Sequence, residues 1–144
     1  MGEVLQKNIL KSGVNPLAEK HKILIVDDEP GIRKLLTFEF NYQGYETTAV
    51  ENADEALLAL KEGSFELVIT DIRMPGSMDG IDLIEAYRKE KPGQYAIFMT
   101  GYAVEEKLTL ALQNPHSICF KKPFDIHVLA QSVTDYFQHG TWGK

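Results

Sequence analysis

From residue 21 onward the apolar positions alternate between two rhythms. Short, nearly unbroken runs such as "KILIV", "FELVIT", "YAIFMT" and "SICF" have the length of strands covered on both faces, and "YETTAV" is strand-like in composition. Between these runs the apolar residues fall at helical spacing. Ile32, Leu35, Leu36 and Phe40 follow Pro30 and stop at Gly44, while Ala53, Ala56, Leu57 and Leu60 fall at i, i+3, i+4 and i+7 and stop at Gly63. A third helix is expected from about Ile81 to Lys91, ended by "KPG", and a fourth within "AVEEKLTLALQ", stopped near Asn114-Pro115. The last begins at Asp125 and carries Val128, Leu129, Ser132, Val133, Tyr136 and Phe137.

Five strand-then-helix units with short links predict an α/β fold of the doubly wound kind: a parallel sheet with right-handed crossover helices. Residues 21–139 form one domain in this reading. Residues 1–20 fit none of the units. Val4, Leu5, Ile9 and Leu10 suit a short amphipathic helix, but Ser12, Gly13, Asn15 and Pro16 interrupt it, so an extension that is flexible or loosely docked is expected. Residues 140–144 are read as a short tail.

Composition narrows the function. The 144 residues suffice for one core without staples, and 44% hydrophobic with 25% charged residues is ordinary for a globular protein. A formal net charge of −6 argues against direct nucleic-acid binding, which wants a basic face. The single cysteine, Cys119, excludes an internal disulfide and suits a reducing compartment, and its "SICF" setting reads as a packed thiol in a strand. "MGEVLQKNIL" lacks the apolar core of a signal peptide, and no run approaches the roughly 20 apolar residues of a membrane span. The expectation is a cytoplasmic protein without membrane contact.

In an open parallel sheet, function gathers at the C-terminal ends of the strands. Asp27 and Asp28 follow the first run, Asp71 the third, Thr100 closes the fourth, and Lys122 lies just beyond the fifth. Each has an ordinary reading: the triplet Asp27, Asp28 and Glu29 before Pro30 suits helix capping, Asp71 and Thr100 suit turns, and Lys122 suits a solvated charge. Taken together they need a common cause. Two unit charges about 4 Å apart cost on the order of 4 kcal/mol at an effective dielectric near 20, so crowded carboxylates retain a proton or hold a cation. All-oxygen ligands suit Mg²⁺, with Mn²⁺ as a substitute. A carboxylate beside that ion can act as a nucleophile toward phosphorus, with Lys122 and Thr100 to stabilise the transferred group.

"ILIVDDEPGIRKLL", "LVITDIRMPGSMDGIDLI", "IFMTGYA" and "FKKPFDIHVL" resemble the signature blocks of a response-regulator receiver domain of two-component signalling, over roughly residues 21–138. The resemblance implies a flavodoxin-like three-layer sandwich with strand order 2-1-3-4-5. It implies that Asp71 is phosphorylated by a histidine kinase or phosphotransfer protein. Asp28, Asp71 and the backbone carbonyl of Arg73 would ligate Mg²⁺, Asp27 would act through water, and Thr100 and Lys122 would meet the phosphoryl oxygens. It also implies a cis Lys122–Pro123 peptide, kinetic tuning by Arg73 and Tyr102, and a partner face over about residues 103–138, meeting a downstream protein or an attached output domain. Such a domain is no general enzyme; it catalyses only its own phosphorylation and dephosphorylation.

Two features depart from the family pattern. Cys119 stands where receivers usually carry an aromatic switch residue, so the signal is expected to travel through Thr100, the loop before the fourth helix, or Tyr102. "MPGSMDG" has one residue more than usual before the helix-starting glycine, an insertion that costs little stability. Two other readings stand beside this one. One is a degenerate receiver kept as a protein-binding module. The other is an aspartyl-phosphate phosphohydrolase of the haloacid dehalogenase type, which would want a second aspartate where Arg73 stands.

Overall fold

The computed structural model describes residues 21–101, 106–140 and 142; the expectations for residues 1–20 and for Tyr102 lie outside them. Five strands alternate with five helices: β1 (Lys22–Val26), α1 (Pro30–Tyr42), β2 (Glu46–Val50), α2 (Ala53–Glu62), β3 (Leu67–Asp71), α3 (Gly80–Arg88), β4 (Tyr95–Thr100), α4 (Glu106–Ala111), β5 (Ser117–Lys121) and α5 (Ile126–His139). The strands form one sheet in the order β2-β1-β3-β4-β5, and every pairing is parallel. This is the flavodoxin-like order expected from the sequence.

Alternation along the strands divides the core into two layers. Leu24, Val26, Val68, Ala96 and Phe98 face α2, α3 and α4, where they meet Ala56, Leu60, Ile84 and Leu108. Ile23, Ile25, Leu67, Ile69, Ile97 and Met99 face α1 and α5, where they meet Leu36, Phe40, Leu129 and Val133. Strands covered on both faces are apolar on both, which is why β1 and β3 read as nearly unbroken runs; Thr70 is the exception in β3, its buried hydroxyl bonded to the Asp71 carbonyl. β2 lies at the edge and is half exposed, so it reads only as strand-like.

Helix ends follow local chemistry. Pro30 opens α1 in its first turn. Asn52, unremarked in the sequence as a cap, accepts a hydrogen bond from the Glu55 amide at 2.8 Å and starts α2. Asp79 and Asp82 form a reciprocal capping box on α3. α3 ends at Arg88 rather than near Lys91, because Pro92 turns the residue before it away from helical geometry. Among the described residues no helix is long and apolar enough to cross a membrane.

Candidate functional site

β1 is flanked by β2 on one side and β3 on the other, so the crossovers leave it in opposite directions and open a crevice at the strand ends. Asp27 and Asp28 leave β1 there, and Asp71 is the last residue of β3. Asp27 is fully buried and Asp71 nearly so, whereas Asp28 is exposed. One carboxylate oxygen from each of the three lies within 4.8 Å of the others. Asp28, Glu29, Asp71, Arg73, Gly101 and Lys122 line a cleft of about 700 Å³ at this point.

Lys122 is the cation at the centre. Its Nζ lies 2.8 Å from Asp27 Oδ2, 2.9 Å from Glu29 Oε1 and 3.4 Å from Asp71 Oδ2. The Lys122–Pro123 peptide is cis. The Lys122 amide donates to the Thr100 carbonyl at 2.6 Å, which ties the end of β5 to the end of β4. Thr100 is buried beside it. Asp27 is held further by the Glu29 amide, which donates to its Oδ1 at 2.9 Å. Arg33 Nη1 donates to the Asp27 carbonyl at 2.8 Å.

Three carboxylates contact one ammonium and a fourth, Asp28, stands beside them, so negative charge is in excess. Burial pushes the Asp71 carboxyl up to about 6, the Asp27 charge adds to the rise, and Lys122 only partly opposes it. Burial works against the charge on Lys122, but its hydrogen bonds to Asp27 and Glu29 and the field of Asp71 prevail and hold its pKa above that of an ordinary lysine. A site of oxygen donors with unneutralised negative charge fits a hard divalent cation.

Backbone packing fixes Asp71. Thr70 Oγ1 donates to the Asp71 carbonyl at 2.8 Å, and the Gly80 amide donates to the Ile72 carbonyl at 2.8 Å. A Cβ on Gly80 would collide with the Asp71 carbonyl oxygen, so only glycine lets α3 start this close to the end of β3.

The structure thus brings Asp27, Asp28, Asp71, Thr100 and Lys122 to one rim, with Arg73 on the cleft wall. The capping reading of the acidic triplet is not what α1 shows: Glu29 occupies the N-cap position, but its side chain makes no cap hydrogen bond and turns to Lys122. Sequence reasoning missed that contact, although the run of three acids at a strand end was the available signal. It also missed Lys107, which reaches from α4 to Asp79 at 2.9 Å and Asp82 at 2.7 Å. Cys119 is half-buried on β5; burial pushes its thiol pKa up, and its Sγ lies 3.8 Å from the Phe120 carbonyl.

Comparison with known proteins agrees with this geometry. The sequence profile of the response regulator receiver domain matches residues 23–134. The chain is 36% identical over 115 residues to sporulation initiation phosphotransferase F of Bacillus subtilis (strain 168), covering 80% of this chain and 92% of that protein. It is 34% identical to the transcriptional regulatory protein GlrR of Escherichia coli (strain K12), matching 78% of this chain and only 25% of GlrR. Among solved structures it is similar to the response regulator protein TrrA of Thermotoga maritima in complex with Mg²⁺-BeF, at 36% identity and a TM-score of 0.70, covering 80% of this chain and 97% of that one.

Proposed function

The chain belongs to the response regulator receiver domain family, a family of signalling domains rather than classical enzymes, and from that membership we propose that Asp71 is its phosphoacceptor. The observation that carries this reading is the position of Asp71: a buried carboxylate at the end of β3, 3.4 Å from the Lys122 ammonium and among the oxygens of Asp27 and Asp28. The phosphoryl donor is the phosphohistidine of a histidine kinase or phosphotransfer protein. A carboxylate oxygen of Asp71 attacks phosphorus in line, the phosphorus–nitrogen bond breaks, and the histidine nitrogen leaves with its electron pair.

Asp28, Asp71 and the Arg73 carbonyl hold Mg²⁺ in this reading, with Mn²⁺ as a substitute. Bound there, the ion supplies positive charge to the equatorial phosphoryl oxygens. Both oxygens of Asp27 already accept hydrogen bonds, from Glu29 and Lys122, which supports a role through water. Lys122 donates to the phosphoryl oxygens and the Thr100 hydroxyl turns toward them. The transferred group adds nearly two negative charges, and the change spreads to α4, β5 and α5. That face, about residues 103–138, meets the downstream protein or output domain. Cys119 carries no ring to swing, so the backbone link between Lys122 and Thr100 is the route the geometry favours. Arg73 on the cleft wall tunes the lifetime of the acyl phosphate, as Tyr102 does by the same resemblance.

The test is incubation with radiolabelled acetyl phosphate or phosphoramidate and Mg²⁺. Wild-type protein takes up label, chelation of the metal stops uptake, and Asp71→Asn abolishes it. Full labelling of Asp71→Asn would place the acceptor elsewhere.

A further inference from the structure

We infer that Glu29 is a positioning residue for phosphorylation: a displaceable counter-ion that holds Lys122 when Asp71 is unmodified and yields it when a phosphoryl group arrives. The inference rests on Asp71 being the phosphoacceptor. An ammonium has three N–H donors. In Lys122 two of them are committed, to Asp27 at 2.8 Å and Glu29 at 2.9 Å, and these bonds hold the ammonium at ion-pair distance from Asp71, 3.4 Å. A phosphoryl group on Asp71 draws the ammonium closer and so competes with Asp27 and Glu29 for it.

Asp27 is poorly suited to give one up. It has no solvent exposure, its other oxygen is fixed by the Glu29 amide, and release would leave a buried charge without its partner. The Glu29 side chain stands on the rim at 59% exposure, so water replaces Lys122 around it at small cost. Its role is thus set by position. It keeps the ammonium poised over Asp71, and its own negative charge opposes the arrival of a second anion. The consequence is a phosphorylated state less favourable than the remaining residues alone would make it.

Beryllofluoride, the phosphoryl mimic, tests this by calorimetry in saturating Mg²⁺, with Mg²⁺ affinity measured separately in fluoride-free buffer. Glu29→Gln, which removes the charge, binds the mimic about fivefold more tightly than wild type. Glu29→Ala, which removes the contact as well, binds at least as tightly as Glu29→Gln. Glu29→Asp, which keeps the charge on a shorter arm, falls between them and wild type. Mg²⁺ affinity stays equal or falls in the neutral variants, because an acid near the cation has been lost. This split separates positioning from loop damage, which would weaken both ligands together. Mimic binding that is unchanged or weaker in both Glu29→Gln and Glu29→Ala overturns the inference alone. Failure of wild-type protein to bind the mimic overturns the phosphoacceptor reading and this inference with it.

Discussion

The two ends of the same sheet are built on opposite terms. At the C-terminal rim, strands stop at Asp27, Asp71 and Thr100, and three carboxylates crowd one lysine with a fourth, Asp28, beside them. At the N-terminal pole the same strands begin beside rings. His21 stacks on Phe137 with centroids 3.9 Å apart, Tyr45 meets Phe40 edge-on at 5.7 Å, and Tyr95 lies 3.9 Å from Tyr136. Trp142 stacks on Tyr136 at 4.6 Å and closes the cluster over the end of α5. Ring packing stabilises by area and by quadrupole geometry, about 0.5–1.5 kcal/mol per pair beyond burial. Crowded like charges do the reverse. The pole holds the fold together, which leaves the rim free to store repulsion that a bound cation and a phosphoryl reaction can use.

Truncation at the pole therefore carries the largest expected effect. Tyr136 is almost buried between Tyr95, Phe137 and Trp142. Tyr136→Ala is expected to destabilise by about 3–5 kcal/mol, as other aromatic truncations do, in urea unfolding. A loss below 1 kcal/mol would mean the ring cluster is not the anchor that the comparison makes it.

Removing charge at the rim acts in the other direction. The Asp71 carboxyl titrates near 6 in the metal-free fold and lower when unfolded, so between about pH 4 and 6 the folded state holds a proton that the unfolded state releases. Stability from this group is therefore lost as pH rises through that window, and the full penalty is present above it. Asp71→Asn removes the penalty. Without metal it is expected to stabilise the protein at pH 7 by an amount on the order of 3 kcal/mol or less, and to have little effect at pH 4. Added Mg²⁺ stabilises wild type but not the variant, which narrows the gap at pH 7. An Asp71→Asn protein less stable than wild type at neutral pH would show that the rim stores no repulsion.

The smallest effect is expected where the two terms nearly cancel. Lys107 bridges Asp79 and Asp82 at the start of α3, but all three side chains are partly exposed. Lys107→Met should cost less than about 1 kcal/mol and less still in high salt. A loss above 2 kcal/mol would make this surface pair an anchor in its own right.

Much of the rim could be read from the sequence, and little of the pole could. Asp27, Asp71, Thr100 and Lys122 each stand where an apolar run stops, and a parallel sheet sends all such ends to one side. The pole has no such marker. His21, Tyr45, Tyr95 and Phe137 are scattered singly, and they meet only because β1, β2 and β4 start at one edge of the same parallel sheet and the last turns of α5 lie against it. The Glu29 contact failed to show for a related reason. Glu29 sits 93 residues from Lys122, and a helix-capping position offered its carboxylate a local use that the folded chain does not take. Cap identities such as Asn52 were legible in principle, and α3 stops at Arg88, three residues short of the expected Lys91, because Pro92 disfavours helical geometry in the residue before it and the helix unwinds ahead of that point.

Borohydride trapping tests the central claim most directly. An aspartyl phosphate formed from acetyl phosphate in Mg²⁺ is reduced to homoserine, whose position peptide mass spectrometry reads. The account predicts homoserine at position 71 alone, absent when the metal is chelated; reduction at Asp27 or Asp28, or no reduction in a sample that took up label, would contradict it.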